Sequence, residues 1–313
     1  MKIDGPGSSN IEDRRGQGGG FGGRGLPGDR GGMRGPGLQI PVGGGGGLFK
    51  GGFGIVAILV ISLVLGVDPG ALLGGMGGGT GVPPPPVERT TRAGPQEDAQ
   101  AQFVSRVLAS TETVWGELFP RAFGKPYDEP RLVLFRDSTP TACGLGQAAM
   151  GPFYCPADSK VYLDLSFFDE LAQRFRAPGQ FAQAYVVAHE IGHHVQNLLG
   201  ISEKAHQMRA RMSRRDGNAL SVRVELQADC FAGVWAFHAN RQRGGTMIDA
   251  HDVEQALTAA TAIGDDRLQR QTQGTVVPDS FTHGTSAQRV RWFRVGLDSG
   301  ELGRCDTFRA QQL

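Results

Sequence analysis

The chain carries almost no net charge: 32 Lys and Arg stand against 31 Asp and Glu, leaving +1 at pH 7. Charge balance therefore gives no argument for a polyanionic partner. Large apolar residues are scarce before residue 48, where runs such as Gly43 to Gly47 take their place. That scarcity excludes a packed core, because too little can be buried to offset the entropy of ordering the chain, and residues 1–47 read as a disordered Gly/Arg-rich head. Aromatic residues are also nearly missing there. Phe21 alone is interspersed among Arg14, Arg15, Arg24, Arg30 and Arg34. Without aromatic interleaving an Arg/Gly head is a weak RNA-binding signal, and no nucleic-acid partner is expected.

One long apolar run is present. Phe53 to Val67 holds 15 residues without a charge, and with Phe49 to Gly52 it approaches the roughly 17–25 residues of a bilayer crossing. Glycine-rich neighbours leave nothing nearby to bury it as a core helix. No clear small-x-small site follows, and about fifty residues precede it, which argues against a cleaved signal peptide. It reads as one transmembrane helix, an uncleaved anchor over residues 48–69. Lys2, Arg14, Arg15, Arg24, Arg30, Arg34 and Lys50 precede the run, and the first basic residue after it is Arg89. The positive-inside rule then leaves the N-terminus in the cytoplasm and exports the rest. The expectation is a single-pass protein of the plasma (inner) membrane with an extracytoplasmic domain. All four cysteines, Cys143, Cys155, Cys230 and Cys305, fall on the exported side, where disulfides persist. Cys143 with Cys155 is the favoured pair, since a turn leads from one to the other. Cys230 and Cys305 are then bonded to each other or free.

Residues 70–95 form a Gly/Pro linker, stiff over Pro83 to Pro86. A folded domain follows over 96–313. Periodicity predicts a helix over Asp98 to Leu118, a strand over Arg131 to Phe135, and a hairpin of Met150 to Cys155 with Lys160 to Leu165. Further helices are expected over 167–175, 180–199, 203–214, 220–241, 250–263 and 286–297. The fold class is α+β: mostly helical, with a small β-sheet ahead of the helix that begins near Gln180.

That helix carries His189-Glu190-Ile191-Gly192-His193. Residues four apart share a helix face, so the two imidazoles can meet one metal ion. Glu190 lies at the edge of that face and can act on a water without becoming a ligand. Glu225 follows 32 positions after His193 and completes three protein ligands with a fourth position open, as in a catalytic zinc site. Asp229 shares the Glu225 face and is placed to accept a hydrogen bond from the outer N–H of a ligating histidine. His194 points about 100° away from His193 and is left out. His206, His238 and His251 read as surface or packing residues.

These residues resemble the gluzincin pattern, in which His-Glu-x-x-His is followed by Glu-x-x-x-Asp. Blocks reading ACGLGQAAMGPFYCP, VYLDLSFF, HEIGHHVQ, ELQADC and SFTHGTSAQR stand between Ala142 and Arg289. From the apolar run to Phe308 the chain is similar to the bacterial "putative neutral zinc metallopeptidase" family. The resemblance implies a zincin-like fold, one Zn2+ per chain and hydrolysis of peptide or protein substrates, with Glu190 as general base. It brings His283 into the constellation as the candidate oxyanion donor, the alternative being a capping or structural histidine. Arg289 is expected to pair with a buried carboxylate, Glu225 being the one considered. In zinc peptidases of this type a strand edge holds the substrate, and Ala148 to Tyr154 is the candidate. The alternative function is a zinc-binding but catalytically silent scaffold, against which Glu190 argues, since a structural site needs ligands and no base.

Overall fold

A computed structural model of the chain describes residues 1–17 and 94–313. The rest of the head, the anchor expected over 48–69 and the linker up to residue 93 lie outside the described residues. Among the described residues no helix is long and apolar enough to cross a membrane.

The start of the chain departs from the reading of residues 1–47 as disordered. Ile3 is buried in the main core, and Ile11–Asp13 form a strand, β1. Composition hid this, because the glycine content of the later head outweighed a short segment whose partners lie far along the chain. Helix α1 (Pro95–Phe123) begins with a proline in its first turn, where the missing N–H has no partner to lose. Glu97 and Asp98 complement the positive end of its dipole. It is longer than the expected Asp98 to Leu118 at both ends, and its apolar face buries Phe103, Val107, Val114 and Trp115. Strand β2 (Arg131–Phe135) then runs parallel to β1, so that β1, α1 and β2 make a crossover unit.

The hairpin of β3 (Ser138–Thr141) and β4 (Gly144–Gln147) stands apart as a two-stranded sheet. Sequence reading missed it, because Pro140, Gly144 and Gly146 weaken any strand signal. Ala148–Met150 form a single 3-10 turn, so the candidate substrate strand shortens to β5 (Phe153–Cys155). Strand β5 pairs antiparallel with β6 (Lys160–Asp164), and β6 lies parallel to β2, giving the order β1-β2-β6-β5. The inner strands are buried on both faces. Leu132 and Leu134 join Val161 and Leu163 in the main core, while Val133 and Phe135 pack with Tyr162 and Cys155 on the other side.

Helix α2 (Ser166–Gln173) leads to α3 (Gln180–Leu198), which is buried along almost its whole length. Helix α4 (Ile201–Arg209) follows, then α5 (Arg214–Gln242). The latter starts before the expected Leu220 because Ser213 caps it, accepting the Asp216 N–H at 3.2 Å. Helices α6 (Ala250–Ala262), α7 (Asp265–Gln273) and α8 (Ser286–Ser299) complete the domain. Helix α7 was not expected, since DDRLQRQTQ has no apolar stripe to announce it. Helix α5 packs along both α3 and α8, and α6 packs against α3. The result is mostly helical with a small mixed sheet, hence α+β. Both disulfides are formed: Cys143 with Cys155, fixing the loop before β4 to β5, and Cys230 with Cys305, fixing α5 to the C-terminal turn.

Candidate metal centre

The site is made by the contact of α3 with α5. A Cβ at Gly192 would lie 2.9 Å from the Ala228 carbonyl oxygen and 3.0 Å from its Cα. Glycine in a helix interior costs about 1 kcal/mol relative to alanine. Here it lets the two backbones touch between the histidines of one helix and the carboxylates of the other. Glu225 then reaches across, its Oε2 lying 3.2 Å from His189 Nε2 and 3.5 Å from His193 Nε2. One ligand atom from each of the three lies within 4.8 Å of the others.

The outward nitrogen of each imidazole is held by a different device. His189 Nδ1 lies 2.8 Å from Asp229 Oδ1. Asp229 also accepts from the Tyr185 hydroxyl at 2.5 Å, from Arg289 Nε at 2.9 Å and from Arg289 Nη2 at 2.9 Å. Arg289 thus pairs with Asp229, not with Glu225 as considered from sequence. With its carboxylate filled by fixed donors, Asp229 takes the Nδ1–H of His189, so that Nε2, on the Glu225 side, is the nitrogen that would give its lone pair to a metal. His193 is held through a relay. Its Nδ1 lies 2.9 Å from Gln196 Oε1, Gln196 Nε2 donates to Gln227 Oε1 at 3.0 Å and to the Val224 carbonyl at 2.8 Å, and Gln227 Nε2 donates to the Cys305 carbonyl at 3.0 Å. A carbonyl can only accept, so each amide in turn has its orientation set, and His193 must carry its proton on Nδ1.

The electrostatics favour a cation. Burial would push the His193 imidazole down, yet the Glu225 carboxylate bonded to it and the nearby Glu190 raise it to about 9. Burial likewise opposes ionisation of Glu225, and the two imidazoles hold it well below the usual carboxylate range all the same. Asp229 is kept at about 2, against its burial, by Arg289 and His189. Two imidazoles facing a firmly ionised carboxylate, their outer nitrogens already committed, form a donor set that fits a divalent ion with nitrogen and oxygen ligands.

Glu190 differs from its neighbours. It is 8% exposed, and among the described residues nothing is hydrogen-bonded or ion-paired to its carboxylate. His283 stands at the edge of the site with a half-exposed side chain. Its Nδ1 lies 3.2 Å from Asp265 Oδ1, while Asp265 Oδ2 accepts the backbone N–H groups of Thr282, His283 and Gly284 at 2.7, 2.6 and 3.0 Å. Desolvation would lower the His283 pKa, but the Asp265 charge and hydrogen bond, with Glu225 beyond, raise it to about 9. His194, left out on sequence grounds, turns away from the ligands: Nδ1 meets the Tyr154 hydroxyl at 3.0 Å and Nε2 the Asp128 carbonyl at 2.6 Å. It fastens β5 to α3.

A family model described as "Putative neutral zinc metallopeptidase" matches residues 2–308. The chain belongs to this family. It is 48% identical over 301 residues to "Uncharacterized protein YpfJ" of Escherichia coli K12, covering 96% of each chain. It is 40% identical over 263 residues to "Uncharacterized protein Rv2575" of Mycobacterium tuberculosis and to "Uncharacterized protein Mb2605" of Mycobacterium bovis, covering 80% of this chain and 86% of each relative. No solved structure matches. The family implies zinc, and the His189, His193 and Glu225 donor set fits it.

Sequence reading missed Tyr185, Gln196, Gln227 and Asp265. Tyr185 is four before His189 and Gln196 three after His193, so helical spacing offered both. Gln227 and Asp265 had no such signal. The relay has a direct consequence. Gln196→Leu leaves the His193 Nδ1–H and Gln227 Oε1 unmatched, and zinc affinity is expected to fall about 10–100-fold. Competition with a chelating dye would measure it. Unchanged affinity would mean that the relay does not orient His193.

Proposed function

We propose that the protein is a zinc-dependent metalloendopeptidase. The observation carrying this reading is that His189, His193 and Glu225 converge while the adjacent Glu190 carboxylate stays uncommitted. A structural ion needs the first three only. One zinc per chain would be held by His189 Nε2, His193 Nε2 and Glu225. A bound zinc supplies Lewis-acid polarisation of the scissile carbonyl and acidifies water. Glu190 takes the proton of the attacking water and delivers it to the leaving amine. His283, kept protonated by Asp265, donates to the developing oxyanion. Asp229 and Gln196 keep the two imidazoles in the tautomer that ligates. Strand β5 is an edge of its sheet and packs against α3, so an extended peptide could add to it through main-chain hydrogen bonds. The Cys143–Cys155 bond and His194 would hold that edge still. The substrate is a peptide or protein. The two disulfides favour an extracytoplasmic site, and the apolar run from Phe53 favours one at the plasma membrane.

His283 gives this mechanism a pH signature. Its raised pKa means that the donor form persists below about 9 and is lost as pH rises through that value. A nearby divalent charge moves the limb to lower pH, never higher. Turnover should therefore show a basic limb at or below about pH 9. His283→Ala should lower turnover about 10²–10³-fold and abolish that limb, with zinc still bound. An unchanged rate and limb in pH–rate profiles would give His283 a structural role.

A further inference from the structure

The N-terminal segment bears on membrane topology, independently of what the metal centre does. Its docking is extensive. Ile3 is buried at 6% exposure, and Arg15 at 7% pairs with Asp13 and with Asp98 of α1. The main chain is laddered to β2, with Leu132 N–H donating to Asn10 at 2.9 Å and Arg14 N–H donating to Leu134 at 2.7 Å. Ser8 N–H donates to the Ser105 carbonyl of α1 at 3.0 Å, and Ser8 Oγ and Asn10 Nδ2 both donate to Glu112. Lys160 of β6 reaches Glu12 at 2.8 Å, and Arg14 reaches Thr139 of β3 at 3.0 Å. The crossing over α1 is so close that a Cβ at Gly7 would stand 2.9 Å from Ser105 Cβ. A ladder, a core residue and a buried guanidinium make this segment an integral part of the sheet, with α1 as the crossover that parallel strands require.

A single crossing by the apolar run would place residues 1–17 and 94–313 on opposite faces of a bilayer whose hydrocarbon core is about 30 Å thick. No hydrogen bond spans that. A second copy could not supply the strand either, since its own N-terminus would lie on the wrong side. The docked segment adds nothing to the charge signal for such a crossing. The positive-inside rule weighs basic residues within about 15–20 positions of a span. Arg30, Arg34 and Lys50 fall within that distance, whereas Lys2, Arg14 and Arg15 lie well outside it, and both of these arginines are engaged in ion pairs of the fold.

We propose that residues 1–17 and 94–313 fold together in one compartment, so that the apolar run does not carry one away from the other across a membrane. This replaces the expectation of a cytoplasmic N-terminus facing an exported domain. The Glu12–Lys160 ion pair offers a test on the unaltered full chain. A carbodiimide condenses a carboxylate and an adjacent amine into an amide with loss of water. Intact cells expressing the chain would be treated before any detergent, and the Glu12–Lys160 peptide sought by mass spectrometry. The same chain treated after detergent solubilisation is the comparison, and Lys160→Ala is the specificity control. The expected result is the cross-link in both samples at equal yield, lost in Lys160→Ala. A cross-link that forms only after solubilisation would overturn the proposal, because the segment would dock only once the membrane was gone. A cross-link in neither would overturn it too, since the docking itself would fail.

Discussion

Replacing Glu190 by glutamine is expected to leave one zinc per chain and to lower peptide hydrolysis by about 10²–10⁴-fold. The substitution keeps the size of the side chain and removes only its capacity to accept a proton. Every other carboxylate at the site is occupied: Glu225 faces two imidazoles, Asp229 is filled by Tyr185, His189 and Arg289, and Asp265 holds His283 with three backbone donors. A carboxylate that works as a base must be free to take a proton, and Glu190 is the one of these four with no hydrogen-bonded or ion-paired partner among the described residues. The check is zinc content and cleavage of an unfolded protein such as casein, with the full chain beside Glu190→Gln. Zinc in both and cleavage in the wild type alone would establish the peptidase and its base together. Cleavage retained in Glu190→Gln would remove Glu190 from that role. Zinc in both with cleavage in neither would favour the silent scaffold. No zinc in either would break the assignment of the three ligands.

The part of this site that could be read from the sequence is the part written in helical spacing. His189, His193, Glu225 and Asp229 sit on two helices at intervals of four, and such intervals mean a shared face wherever the helix goes. The same logic would have reached Tyr185 and Gln196. What spacing cannot say is which helix lies against which. Gln227 matters because α5 turns it toward Gln196 and because the Cys230–Cys305 bond holds a carbonyl beyond it. Asp265 matters because a helix with no apolar stripe begins next to the His283 loop. The buried carboxylate expected for Arg289 is Asp229 rather than Glu225 for the same reason: α8 brings it there. In the fold, the continuous apolar run of Leu132 to Phe135 was legible. The strand at Ile11 was not, because three residues at the head of a glycine-rich stretch gain their stability from β2 rather than from their neighbours. Composition averages over a window, whereas pairing depends on a partner that may lie a hundred residues away.

Removing Arg289 should be among the most damaging single changes outside the ligands. It is 2% exposed, and it holds Asp229, which is 0% exposed, through two hydrogen bonds of 2.9 Å. Its Nη2 also donates to the Tyr185 hydroxyl at 3.2 Å. Arg289→Met fills much of the same space but leaves a buried carboxylate without its cation, a loss of about 3–5 kcal/mol. For a domain of this size that lowers the unfolding midpoint by on the order of 10 °C. The pH dependence carries the cause. Asp229 is depressed from 3.8 to about 2 in the folded chain, so its contribution is fully present above 3.8 and is lost as pH falls toward 2. Without Arg289 the folded value rises, and that contribution shrinks or changes sign, so acid unfolding should begin at higher pH. Adding Asp229→Asn to Arg289→Met should recover part of the loss, since a neutral amide no longer needs the cation. Thermal unfolding followed from pH 2 to 7 on the two single variants and the double would separate these terms. If Arg289→Met melted and titrated like the wild type, the guanidinium would not be what keeps Asp229 ionised. The fixed tautomer of His189 would then depend on Tyr185 and on the metal itself.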